Sequence, residues 1–446
     1  MSEFTPHLLQ FLDDGDRSRL AEAASRAHAA DIADAIEQCE PSCAAELLGC
    51  LPPTLRAEVF GHIEPGYQTR IVEVIDHREL AVLVTHMEAD ERADLYKQIP
   101  ESLQETLLSA LEVAEREDLC RLSAHPEGTV GSIMTSEYAA LPPDLLARQA
   151  IARLRDQAPD KETIYQIFIV DGARRLVGTL SLRELILAQP DTPIRDVMRT
   201  EVISIPLDAP SEEAARKVSN YDLIALPVID ERNRMVGIVT HDDAMDVAEQ
   251  EATEDFHKAG GAQNIGMSLR DASVGLLFRK RIVWLVILVF VNLLSGAGIA
   301  FYEQTISTYI VLVFFLPLLI ASGGNAGAQS ATLMVRALAT GDVGAKDWGM
   351  MLGKELFVAL LLSGLMAFMV AGVGWIRGGE EIALIVAVAM IAIVVVASLV
   401  GMSLPFLLTR FGFDPAAASV PLVTSVADVL GVLVYFSMAS LVLGLG

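Results

Sequence analysis

The chain has 446 residues, room for about three domains, and carries 33 Lys and Arg against 58 Asp and Glu for a formal net charge of −25. That charge is confined to one half: from Arg279 onward there are 8 basic and 8 acidic residues in mostly apolar sequence, which leaves 25 basic and 50 acidic residues in Met1 to Phe278. A field of that sign excludes nucleic acid as the partner of the soluble half and concentrates cations around it.

Residues from about Leu8 to Arg121 alternate short apolar groups with LPP (Leu51 to Pro53), EPG (Glu64 to Gly66) and IPE (Ile99 to Glu101). This punctuation predicts helices of two to three turns stacked as a small superhelix. Acids such as Glu58, Glu88, Asp90 and Asp94 stand on its outer faces, the last two on one helix face at i and i+4. Two readings of them stand together, a solvated face and a weak divalent-cation site. Cys39, Cys43, Cys50 and Cys120 lack zinc-finger spacing to any His and read as ordinary reduced thiols. Met1 to Arg17 is too acidic and too short of apolar residues for a signal peptide, which keeps this half in the cytosol.

An internal repeat follows. Ile167 to Leu185 (IFIVDGARRLVGTLSLREL) matches Leu226 to Met245 (LPVIDERNRMVGIVTHDDAM), each reading as a buried strand, a turn at Asp171 or Asp230, a second strand and a helix. Met134-Thr135 and Met198 to Thr200 precede the two copies. The pattern resembles a tandem pair of CBS domains. That resemblance implies an adenine nucleotide such as ATP as a regulatory ligand, with Arg183 and Asp242 at the positions after the second strands where such ligands are met. A pair serving only as dimerising relay is the competing reading. Asp246 to Ala259 is then an acidic helical run, too polar to span a membrane and ended by Gly260-Gly261.

The C-terminal half reads as five spans: Ile282 to Ala300, Thr308 to Ala339 with an interrupted centre, Leu356 to Ile376, Ile382 to Leu408 and Ala417 to Gly444. Arg279, Lys280 and Arg281 before the first span, and Arg336, Lys346, Lys354 and Arg410 farther on, put the N terminus in the cytoplasm and the C terminus outside. Such a chain is a multi-pass protein of the cell (inner) membrane in contact with lipid. In the second span Asn325, Gln329, Thr332 and Arg336 recur at spacings of four, three and four, one polar stripe on a helix. In the last span Asp428 is the lone charge, flanked along its stripe by Ala417, Pro421, Thr424, Gly431 and Tyr435. An ionised group at mid-membrane costs roughly 3 kcal/mol on insertion scales and marks a functional site by default.

The whole chain resembles the MgtE family of magnesium channels. The resemblance rests on the second-span GGNxGxQSAT (from Gly323), the DPA of Asp414 to Ala416, the PLVTSVAD of Pro421 to Asp428, the CBS pair and the helical N domain. It implies an all-helical superhelix over 1–126, α/β tandem CBS domains over 127–246, a connecting or plug helix over 247–272 and an all-α pore domain of five helices over 273–446. It also implies a homodimer, not an enzyme, whose pore is lined by the second and fifth helices. Asp428 of the two subunits would select the ion, with Thr424, Pro421, Asn325 and Gln329 beside it. Cytosolic Mg²⁺ would close the pore at Glu58, Asp90, Asp94, Glu212, Asp222, Asp243, Asp246, Glu251, Glu254 and Asp255, and Asp414 is counted among the metal ligands. Ala328 and Val420 depart from the family pattern, where Asn is frequent, so contacts to the hydrated ion are expected to differ.

The chemistry suits this ion without the resemblance. Mg²⁺ keeps most of its waters and is held by few carboxylates, so one Asp per subunit on a polar stripe is appropriate. The alternative is a transporter of other divalent cations such as Co²⁺. An ion-coupled carrier calls for inverted repeats that five spans do not show. An intramembrane aspartyl protease needs two carboxylates sharing a proton, and each subunit has only one in its membrane core, a second coming only from a dimer partner.

Overall fold

The structure is a computed structural model that describes residues 26–263, 272–417 and 420–444. It falls into two compact units, Met1–Glu251 and Ala252–Gly446. Positions 8–25 of the expected superhelix lie outside the described residues.

In the first unit, short helices run from Ala29–Ile36 to Val113–Ser123, each of 8 to 11 residues. The expected punctuation is what starts them. Pro41, Pro53 and Pro65 each occupy a first helical position, where the missing N–H costs nothing and the fixed φ suits the turn. Each helix is too short to persist alone, and their shared core of Leu48, Phe60, Ile71 and Leu83 supplies the stability. The four cysteines are free thiols.

The two repeat copies fold as two three-stranded sheets of the same design: β1 (Tyr138–Leu141), β2 (Thr163–Val170) and β3 (Leu176–Ser181), then β4 (Ile205–Pro206), β5 (Ala225–Ile229) and β6 (Met235–Thr240). In each, the first strand is parallel to the second and the second antiparallel to the third. The turns are superposable in their bonding. Asp171 Oδ1 accepts the amides of Ala173 and Arg175 at 2.8 and 2.9 Å, and Asp230 Oδ1 accepts those of Arg232 and Arg234 at 2.9 and 2.8 Å. Arg174 and Asn233 take the left-handed position, at φ 61° and 60°.

The methionines that precede each copy cross over. Met134 packs on Gly237 of the second copy and Met198 on Gly178 of the first, where a Cβ would lie 2.8 and 2.6 Å from the methionine sulfur. Glycine is required there because the partner copy's lead-in strand lies against the backbone.

The second unit holds four helices long and apolar enough to cross a membrane: Val274–Phe301, Val311–Ala339, Trp348–Arg410 and Val420–Leu443. The third has 63 residues, about 95 Å if straight, three times the roughly 30 Å of a hydrocarbon core. It folds back at Gly379, whose φ of 79° and ψ of −167° are outside helical space. The halves pack on each other so closely that a Cβ at Gly374 would lie 2.8 Å from the Ala383 Cα. Each half is long enough to cross, so the third and fourth expected spans are two arms of one hairpin. The interrupted centre expected in the second span is absent: Val311–Ala339 is continuous. Its glycines instead admit neighbours, since a Cβ at Gly327 would lie 2.9 Å from the Ala397 carbonyl oxygen.

Candidate ion pathway and cytosolic acidic site

On the second membrane helix, Gly323, Gly324, Gly327, Ser330 and Ala331 are buried against the rest of the unit, while Asn325, Gln329, Thr332 and Arg336 are exposed. A stripe of amides and hydroxyls uncovered by its own chain suits water or a second subunit, not lipid. On the last helix Asp428, Thr424 and Pro421 are half-buried. A Cβ at Gly324 would lie 3.0 Å from Thr424 Cγ2 and 3.7 Å from Asp428 Oδ1, so the acid and the polar helix meet where the chain is bare of side chain. Tyr435, expected on the same stripe as Asp428, is buried instead and donates its hydroxyl to the Leu312 carbonyl at 2.9 Å.

Two further acids of this unit have protein partners. Glu355, which sequence reasoning passed over, meets the buried Ser330 hydroxyl of the second helix. Asp414 stands apart from the other acids: its Oδ2 takes Lys258 Nζ at 2.6 Å and its Oδ1 accepts the Ala416 amide at 2.8 Å. Lys258 also reaches Glu254 at 2.6 Å. Burial works against its charge, but these two carboxylates outweigh it and raise its pKa.

In the first unit, Asp90 opens the helix Ala89–Gln98 and is only 8% exposed. Asp243 lies in the first turn of the helix His241–Ala259, and its Oδ2 accepts the Thr240 hydroxyl at 2.6 Å. The two carboxylates repel each other. Desolvation first, and the charge of Asp90 next, raise the pKa of Asp243, while desolvation and then Glu88 raise that of Asp90. Glu162, at the entrance to β2, joins them. Its carboxyl is pushed up to about 9 by burial and then by Asp90 and Asp243. Glu91 is likewise pushed up to about 9, by burial and then by Glu88 and Asp90. Carboxylate oxygens of Glu88, Asp90 and Glu162, and of Glu162, Asp242 and Asp243, lie within 4.8 Å of one another. Among the described residues no Lys, Arg or His forms an ion pair with Asp90, Glu162 or Asp243. Uncompensated negative charge in such confinement calls for a cation.

Of the other expected sensor residues, Asp94 pairs with Lys97 at 3.1 Å. Glu58 is exposed on the helix Pro53–Gly61. Glu212 and Asp222 are exposed at the two ends of the helix Ser211–Asn220 and the turn after it, Asp222 with φ 51°. Asp246, Glu251, Glu254 and Asp255 follow one another along His241–Ala259. Arg183 is exposed in the first turn of the helix Leu182–Leu187, and Asp242 belongs to the acidic group. Glu162 escaped the sequence reading although a signal existed. The offset that relates Asp171 to Asp230 and Gly178 to Gly237 sets Glu162 against Tyr221, an acid without counterpart in the second copy.

Known proteins match every part of this arrangement. Residues 316–438 match the family described as MgtE, divalent cation transporter. Residues 27–128 match the MgtE intracellular N domain, and 130–191 and 194–249 match CBS domains. The magnesium transporter MgtE of Thermus thermophilus is 37% identical over 98% of this chain and 98% of its own length. That of Bacillus subtilis is 29% identical over 86% and 85%. Among solved structures, the cytosolic domain of the Mg²⁺ channel MgtE in complex with ATP is similar with a TM-score of 0.52 at 33% identity, covering 55% of this chain and 99% of that one. The soluble part of a magnesium transporter gives 0.53 at 29% identity, over 56% and 98%. These relatives are transporters and channels, not enzymes, and the chain belongs to the MgtE family of magnesium transporters.

Proposed function

We propose that a homodimer of this chain conducts hydrated Mg²⁺ inward across the cell (inner) membrane, along a path between the exposed polar stripe of Val311–Ala339 and the Asp428 face of Val420–Leu443. The observation that carries this reading is the meeting of Asp428 with Gly324, beside Thr424 and next to Asn325. An ion that keeps its waters needs acceptors and room instead of a dehydrating cage, and a glycine opposite a carboxylate supplies both. With the N terminus cytoplasmic, the chain crosses five times, the hairpin at Gly379 counting twice. Co²⁺ is the alternative cargo, and Ala328 and Val420 are where its discrimination would differ.

Closure by cytosolic Mg²⁺ follows from the acidic first unit. Moving a closed fraction from 1:99 to 99:1 takes about 5.5 kcal/mol, whereas one site at about ten times its Kd supplies about 1.4, so roughly four sites must act together. Asp90 with Asp243 would form one of them, and Glu58, Asp94, Glu212, Asp222, Asp246, Glu251, Glu254 and Asp255 are the remaining candidates. The ATP named with the similar cytosolic domain makes nucleotide regulation at Arg183 a reading worth testing. Asp242, close to Asp243 and Glu162, would approach a phosphate only through a bridging cation. Calorimetric titration with ATP, with and without Mg²⁺, decides it.

Flux of Mg²⁺, Ca²⁺ and Co²⁺ into proteoliposomes holding the full chain tests the main reading. Mg²⁺ entry that stops as lumenal Mg²⁺, facing the acidic unit, rises through the millimolar range is expected. No divalent flux, or flux unchanged by Mg²⁺ on either side, refutes conduction or gating respectively.

A further inference from the structure

We propose that Glu162 is a ligand of a divalent cation in the acidic pocket, so that the ion fastens the first CBS repeat, as well as the second, to the N domain. The inference rests on the gating reading above, which assigns only Asp90 and Asp243 to this pocket. Three segments meet here: Glu88 and Asp90 from the start of Ala89–Gln98, Glu162 from the lead-in to β2, and Asp242 and Asp243 from the first turn of His241–Ala259. Glu162 is the member common to both close groups of carboxylate oxygens, Glu88 with Asp90 and Asp242 with Asp243. A cation placed in either group therefore takes Glu162 as a ligand. The 4.8 Å spread fits one hard ion, since bonds of about 2.1 to 2.5 Å set opposite oxygens roughly 4.2 to 5 Å apart.

A cluster of acids is common without an ion, and this one differs in what its oxygens lack. Asp90 is 92% buried by its 8% exposure, and its Oδ1 has no hydrogen-bond partner. Glu162 Oε2 is also buried and unpartnered. The buried Arg92 of the same helix as Asp90 turns to Glu115 and Glu137 at 3.8 and 3.7 Å and forms no ion pair with Asp90 or Glu162. Glu162 itself is held in place by its backbone, the amide donating to the Glu137 carbonyl at 3.0 Å. Two buried oxygens without donors, aimed into one pocket from different segments, are left for a ligand that brings positive charge.

The repeat makes the asymmetry plain. The capping acid of the first copy, Glu184, is neutralised by Arg199 at 2.6 Å, whereas its counterpart Asp243 lies beside Asp242 and Glu162 with no ion pair to a basic residue among the described residues. The second copy is built to share its acid with a cation, and Glu162 is the first copy's contribution to the same ion.

Mn²⁺ serves as the probe. Full-length protein in detergent, carrying Asp428→Asn to silence the pore, is titrated with Mn²⁺ while the free ion is read by its paramagnetic resonance. Glu162→Gln should raise the Kd of the tightest class of sites about tenfold, as should Asp90→Asn, because one charged ligand is lost. Glu162→Asp, which keeps a carboxylate, should fall between, and it decides the matter if the Gln variant does not fold. Binding by Glu162→Gln identical to the parent, while Asp90→Asn loses affinity, overturns the ligand role of Glu162 and leaves the gating reading standing. Absence of Mn²⁺ binding in the parent overturns both.

Discussion

Asp428 and Gly401 illustrate opposite kinds of sensitivity. Asp428→Asn preserves shape and removes charge, so the dimer should fold while Mg²⁺ flux falls to background or loses its selectivity against Ca²⁺. Normal flux and selectivity in a folded Asn variant would remove Asp428 from the selecting role. At Gly401 the constraint is space. A Cβ there would meet the Gly327 backbone oxygen at 2.1 Å, and backbone cannot swing away as a side chain does. Gly401→Val should cost about 1 to 3 kcal/mol or more and lower the melting temperature in detergent, whereas Gly364→Ala, with nothing within 4 Å, should be silent. Equal melting of the two variants would mean that the helix crossing at Gly327 is loose.

The turn from second strand to helix is one element used twice, with different electrostatics. Ser181 and Glu184 cap the helix Leu182–Leu187 reciprocally, and Glu184, lowered in pKa by the Ser181 amide and by Arg199, is satisfied. Thr240 donates its hydroxyl and its amide to Asp243 in the same way, in the pocket that holds Asp90. Glu184→Gln should therefore destabilise by about 0.5 to 1 kcal/mol, through a weakened cap and a mostly exposed ion pair. Asp243→Asn should stabilise the Mg²⁺-free protein, by relieving repulsion, and weaken the response to Mg²⁺. Melting with and without Mg²⁺ distinguishes them, and destabilisation by both in Mg²⁺-free buffer would count against charge repulsion at Asp243. The strands, turn and helix were legible in the sequence because they lie within about twenty residues of each other, whereas the caps were not read from it. The spans were legible for the same reason, as composition over a window. Continuity of the second span and burial of Tyr435 were not, because a helical wheel ranks faces by polarity and does not know which neighbour offers a carbonyl. Glu162 lay beyond reach of periodicity altogether, since its partners come from Ala89–Gln98 and His241–Ala259.

On the scale of the whole first unit, the surplus of acid becomes a coupling between protons and metal. Asp90, Asp243, Glu91 and Glu162 all have folded-state pKa values above their ordinary carboxylate range, the last two near 9. A raised acid means that the native form binds more protons than the unfolded chain, so stability falls as pH rises through that interval. The packed unit is thus favoured at the acidic end and progressively lost toward pH 9 when no metal is present. A divalent cation takes the place of the protons, and it competes with them. Limited proteolysis of the Mg²⁺-free protein should accordingly be slower at about pH 6 than at about pH 9. The Mg²⁺ concentration that restores resistance should fall as pH rises, because fewer protons must be displaced. Combining Asp90→Asn with Asp243→Asn should flatten both trends, leaving a unit that resists protease at high pH without Mg²⁺. Resistance that is the same at both pH values, or a Mg²⁺ midpoint that does not move between them, would show that these acids are fully hydrated in solution and that charge in this pocket does not drive closure.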